Sequence, residues 1–98
     1  MIINQNTNGI LTTLEIIGRL DTTTAPKLEV VVDNYLADTQ ELILDFQGLE
    51  YISSAGLRVL LKAQKSMMKR GKMKILNVNE AVMEVFEITG FSDILTIE

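Results

Sequence analysis

Leu42-Ile43-Leu44-Asp45-Phe46 is a short, nearly continuous apolar run with one acid near its end. A run of this kind reads as a strand buried on both faces, the pattern of a sheet covered by helices. Its flanks agree. Before it, Leu28, Val31, Val32, Tyr35 and Leu36 recur at helical spacing behind Pro26, a residue suited to a first helical turn. After it, Leu57, Leu60, Leu61, Gln64, Met67 and Met68 recur with lysines between them, the mark of an amphipathic helix. A strand held between two such helices constrains the chain to an α/β fold.

The rest of the chain continues the alternation. Asn6-Thr7-Asn8-Gly9 is a turn signal between residues 2–5 and 10–17, so a β-hairpin is expected first. Gly18-Arg19-Leu20-Asp21 leads out of the second strand, with Thr22, Thr23 and Thr24 as candidate N-caps. Gly71 suits the end of the second helix, before a strand over 73–78. Asn79-Glu80 opens a third helix with Val82, Val85, Phe86 and Ile88 inward, closed by Gly90, and a last strand is expected over 94–97. The order is β-β-α-β-α-β-α-β. It predicts a mixed, largely parallel sheet with right-handed crossover helices, most of them on one face.

With 98 residues, 47% of them hydrophobic, the chain is expected to form one small domain over residues 1–98 with a packed core. It has no Cys, hence no disulfide framework. It has no His, which removes the usual general base, the Ser–His pair and the commonest metal ligand. A net charge of −4 argues against direct nucleic-acid binding. The basic residues Lys62, Lys65, Lys69, Arg70, Lys72 and Lys74 read as the solvated face of one helix and its exit. No apolar run reaches membrane-span length, and the opening Met1-Ile2-Ile3-Asn4-Gln5-Asn6 lacks the features of a secretion signal, so a cytoplasmic protein is expected.

Asp21, Asp45 and the pair Ser53-Ser54 each follow the carboxyl end of a strand, the edge where open α/β sheets carry their functional groups. The two serines stand where the second helix begins, so one can cap it while the other reacts. A phosphate is well accommodated at such a place by the unpaired N–H groups and the helix dipole. Each feature also has a plain structural reading. The acids can cap turns, Gly56 can serve close helix–strand packing, and Met67, Met68 and Met73 can fill core space.

Tyr51-Ile52-Ser53-Ser54-Ala55-Gly56-Leu57-Arg58-Val59-Leu60-Leu61 resembles the signature of bacterial anti-sigma factor antagonists, the STAS domain. Gly18-Arg19-Leu20-Asp21 is similar to that family's Gly-x-Leu-Asp motif, and residues 42–46 to its third strand. Residues 82–91 are similar to its last helix and the glycine turn behind it. The resemblance runs through essentially the whole chain in order.

The resemblance implies a non-enzymatic regulator, without cofactor or metal. It would bind a serine-kinase anti-sigma factor and be switched off by phosphorylation of a serine at the start of the second helix. A PP2C-type phosphatase would reverse the change. By register the acceptor falls on Ser54, with Ser53, which replaces the family's usual Asp, as the alternative. The implied partner surface comprises Asp21, Thr22, Asp45, Ser53, Ser54, Ala55, Gly56 and Arg58. Other readings are a non-phosphorylated STAS subunit of a transport or sensory complex and a small serine hydrolase using Ser–Lys chemistry. A receiver-like domain phosphorylated on Asp45 is a further one, although it lacks the acidic pair that would hold Mg²⁺.

Overall fold

The computed structural model describes residues 1–98 apart from the side chains of Tyr35 and Leu36; the inward positions expected for those two lie outside the described residues. The opening hairpin pairs β1 (Ile2–Asn8) with β2 (Leu11–Leu20), antiparallel from Ile2↔Ile17 to Asn8↔Leu11. The turn is Gly9-Ile10, later than the Asn-rich segment suggested. Gly9 takes φ +63°, as the mirror-type two-residue hairpin turn requires at its first central position. Asn6, Thr7 and Asn8 are thereby free to extend the strand.

β2 is the central strand. It pairs in parallel with β3 (Glu41–Asp45), from Leu11↔Glu41 to Glu15↔Asp45, and β3 pairs in parallel with β5 (Lys72–Leu76). A strand the sequence reading treated as loop, β4 (Leu49–Ile52), also pairs in parallel with β2 through Arg19↔Tyr51 and Leu20↔Ile52. From Glu15↔Asp45 to Leu20↔Ile52, β2 advances five residues and its partner segment seven. β4 therefore continues the line of β3 along β2, with one extra residue taken up at 46–48 and a second at Glu50, where Gly18↔Leu49 gives way to Arg19↔Tyr51. Gly18 sits at the shift with φ +106°, and its N–H donates to the Gly48 carbonyl at 2.9 Å. The mixed, largely parallel sheet is as expected; β4 is the strand that lengthens it beyond β3.

Three helices complete the order: α1 (Ala25–Leu36), α2 (Ser54–Met68) and α3 (Glu80–Thr89). Leu14, Ile16, Leu42, Leu44, Met73 and Ile75 form one core with Leu28 and Val32 of α1, Leu57, Leu60 and Met67 of α2, and Phe86 of α3. The apolar run at 42–46 alternates: Leu42, Leu44 and Phe46 are buried, whereas Ile43 is half-exposed. Burial on both faces is thus not what an uninterrupted apolar run here signifies. Helical periodicity also overstated two positions, since Met68 is 72% and Ile88 77% exposed. Asn79 caps α3 by accepting the Val82 N–H at 2.8 Å, and its own amide donates to the Leu49 carbonyl, fixing α3 to β4.

The last strand expected over 94–97 reduces to a single bridge, Ile75↔Ile97. The cause is local. A 3₁₀ turn occupies Phe91–Asp93, and the Ile94 and Leu95 N–H groups donate back to the Phe91 carbonyl. Only the segment around Thr96 and Glu98 remains to bond Ile75. Basic residues along α2 and β5 are drawn into local contacts: Lys62 with Glu29 and Asp33, Lys74 with Glu98, and Arg70 with the Ala37 carbonyl.

Candidate partner-binding site

β2 and β4 finish side by side at Leu20 and Ile52, and the Ser53 N–H donates to the Leu20 carbonyl at 2.9 Å. That bond fixes where α2 starts, three residues before the first leucine of its periodic face. Ser53 is the N-cap: its backbone is extended, its carbonyl accepts the Leu57 N–H, and its Oγ accepts the Gly56 N–H at a long 3.4 Å. Ser54 is the first helical residue. It is exposed, and its hydroxyl makes no hydrogen bond among the described residues. One serine holds the helix end while the other is left open to solvent, beside a first turn with no acidic residue.

Two residues expected in the partner surface sit back from the exposed rim. Gly56 is buried, and a Cβ there would lie 2.8 Å from Leu20 Cγ and 2.9 Å from Ile52 Cγ1. Its missing side chain lets α2 sit down on the strand ends. Asp45 is not on the rim. It pairs beside Glu15, whereas the rim is at Leu20, so about 16 Å of strand separates them at roughly 3.3 Å per residue. Its Oδ1 accepts the Gln47 N–H and the Asn77 side-chain amide, both at 3.0 Å, and so shapes the bulge and the left-handed Asn77 turn. The cause is β4, which carries the functional edge past the end of β3.

Asp21 does lie at the rim, committed to the first turn of α1. Its Oδ1 accepts the Thr23 hydroxyl at 2.7 Å and the N–H groups of Thr23 and Thr24 at 3.0 and 3.1 Å. Thr24 is the N-cap by position, yet its side chain makes no cap bond; its Oγ1 donates to the Arg19 carbonyl and accepts the Asp21 N–H. The acid thus holds the Thr23–Thr24 turn that leads into α1, while the Ala25 N–H donates to the Asp21 backbone carbonyl. The Thr23 hydroxyl bond is the largest influence on the Asp21 carboxyl and lowers its pKa; desolvation comes next and opposes it, and the N–H groups of Thr24 and Thr23 tip the balance further down. A group depressed in the folded state stabilises above its unfolded pKa and loses that contribution as pH falls through the folded value. Asp21→Ala is therefore expected to melt below wild type at pH 7. The gap should close as pH drops below about 4, where the unfolded carboxyl also protonates. Melting curves across about pH 2–7 check this; a gap that persists at the acid end would assign the loss to something other than the carboxylate.

Next to the rim, α1 and α2 enclose an open groove of about 370 Å³ lined by Thr22, Ala25, Pro26, Glu29, Ala55, Arg58, Val59 and Lys62. Lys62 Nζ lies 3.2 Å from Glu29 and 3.4 Å from Asp33, and hydrogen bonds to these two carboxylates raise its pKa. It is a held cation and a poor base for activating a serine. Arg58 is exposed and makes no ion pair among the described residues. On the strand side of the rim the Arg19 guanidinium stacks 4.3 Å from the Tyr51 ring centroid. The sequence reading missed this pair, since its only signal is the register of the missed β4. Among the described residues no group of three or more acids could hold a metal, and no helix is long and apolar enough to cross a membrane.

An antiparallel hairpin leading into parallel β-α-β units, with a capped and an open serine at the second helix, defines a small α/β module with an exposed hydroxyl at its rim. The STAS domain model matches residues 1–98, and the chain belongs to the STAS domain family. It is 32% identical over 83 residues to the anti-sigma-B factor antagonist of Listeria monocytogenes, covering 83% of this chain and 73% of that protein. Its fold is similar to that of an anti-sigma factor antagonist from Mycobacterium paratuberculosis, with a TM-score of 0.89 at 21% identity over 98% of this chain and 83% of the other. The Bacillus cell fate determinant SpoIIAA in its phosphorylated form aligns with a TM-score of 0.78 at 15% identity, over 99% and 91% of the two chains.

Proposed function

We propose that this chain is an anti-sigma factor antagonist whose partner is a serine-kinase anti-sigma factor, and that phosphorylation of Ser54 ends the complex. A PP2C-type phosphatase resets it. The observation that carries the reading is the division of the serine pair: Ser53 is engaged as the cap, while Ser54 is exposed and unbonded at the helix start. A kinase needs an accessible hydroxyl that can be approached without unfolding the domain, and Ser54 offers one. The antagonist name of the Listeria relative and the existence of a fold neighbour in phosphorylated form support the same reading. The partner surface is then Thr22, Ser54, Ala55 and Arg58, with Asp21 shaping its floor. Cytoplasmic action follows from this role.

The test is labelling by the cognate kinase with ATP. Wild type and Ser53→Ala should incorporate phosphate, Ser53→Ala more slowly if the helix start frays, and Ser54→Ala should incorporate none. Full labelling of Ser54→Ala with none of Ser53→Ala would move the acceptor to Ser53.

A further inference from the structure

We propose that Arg58 is the counter-ion of a phosphate carried on Ser54, so that phosphorylation also withdraws this guanidinium from the partner surface. The proposal rests on the reading of Ser54 as the acceptor. Arg58 lies four residues after Ser54 within α2, one turn along the same face. Helical side chains tilt toward the N-terminus, so a long side chain covers the turn before its own Cα. Arg58 therefore reaches back over Ser54. Both residues are exposed, and among the described residues neither the hydroxyl nor the guanidinium has a partner.

The surroundings favour this pair over others. Lys62, the next cation along the groove, is already engaged by Glu29 and Asp33. No acid in the first turn of α2 competes for Arg58. Asp21, across the rim, has its Oδ1 occupied by Thr23 and Thr24. A guanidinium fork matches two phosphate oxygens, and the short i,i+4 link lets it do so without backbone change. Before phosphorylation, the open Arg58 beside Thr22 and Ala55 suits a carboxylate on the partner. Afterwards the guanidinium is tied to its own helix, and the same carboxylate meets the residual phosphate charge.

The test uses the full chain with phosphoserine installed at position 54 by expanded-code synthesis, without any kinase. The second ionisation of the phosphate is followed by ³¹P NMR in wild type, Arg58→Ala and Arg58→Lys. It should fall about 0.15–0.4 pH units lower in wild type than in Arg58→Ala, the size expected of an exposed helical ion pair. Arg58→Lys should lie between, having the charge but not the fork. The Arg58 Nε–H signal should shift on phosphorylation. Superimposed titrations of wild type and Arg58→Ala would overturn the pairing. Moving the phosphoserine to position 53 should remove the dependence on Arg58; an equal dependence there would overturn it too, by showing a general field. A kinase that ignores Ser54 would count against the acceptor assignment and leave these titrations unaffected.

Discussion

Phosphorylation of Ser54 is expected to weaken binding to the anti-sigma kinase roughly 150-fold, the effect of about 3 kcal/mol, with the fold unchanged. The phosphate brings about −1.5 to −2 charges and three acceptor oxygens. On the isolated domain it lands among unpaired N–H groups at the start of a helix, where the dipole favours an anion, so it does not strain the fold. Against a partner pressed onto the rim, the same dianion must lose water, and a single guanidinium beside it does not offset a desolvation cost of several kcal/mol. Amide shifts and calorimetry on the two forms separate these effects. Changes should concentrate at residues 20–25 and 52–60. Asp45 and Asn77 should stay still, because the bulge places them well below the rim. Shifts spread through all five strands would sink the local mechanism, and unchanged affinity would leave Ser54 as a solvent-exposed helix start and nothing more.

The exclusion of Asp45 from that list shows what the sequence could and could not carry. Local chemistry was legible. Gly18-Arg19-Leu20-Asp21 does end a strand and start a helix, Ser53-Ser54 does mark the next helix start, and Gly90 does close α3. Each depends on residues within a few positions of one another. Leu49-Glu50-Tyr51-Ile52 was not legible as a strand. It is four residues long, follows a glycine, and buries only its two ends, so it shows neither alternation nor a run. What makes it a strand is β2, thirty residues upstream, reaching beyond β3. Without β4, both acids seem to end strands at one edge, and Tyr51 has no reason to meet Arg19. The faces of α2 and α3 were overdrawn for a related reason: periodicity gives the direction of the core but not how far round the helix it extends, hence exposed Met68 and Ile88.

Gly71→Ala is expected to destabilise the fold by roughly 3 kcal/mol, at the upper end for added bulk in a packed position. For a domain of this size that is a loss of roughly 10–20 °C in melting temperature. The sequence suggested a helix-stopping glycine, but Gly71 does not have the left-handed φ of such a stop. Its necessity is steric. A Cβ there would lie 1.8 Å from the Gln40 carbonyl oxygen and 2.8 Å from its carbon. That carbonyl accepts the Lys72 N–H at 2.9 Å, the bond that starts β5 beside β3, while the Gly71 N–H donates to Met67 at 2.7 Å. The obstacle is backbone, so no rotamer change relieves it; the end of α2 must lift or β5 must lose its first bond. Gly56→Ala is the comparison, since there the close atoms are side chains of Leu20 and Ile52 that can shift, and about 1–2 kcal/mol is expected. Thermal melting with hydrogen exchange at Lys72 distinguishes the cases: Gly71→Ala should expose the Lys72 amide, and Gly56→Ala should not. A melting temperature within about 2 °C of wild type for Gly71→Ala, less than 1 kcal/mol on the same scale, would mean that the chain can part at Gln40 at little cost. The helix that presents Ser54 is seated by Gly56 against the ends of β2 and β4 and, just past its far end, by Gly71 against the Gln40 backbone ahead of β3, which cannot yield.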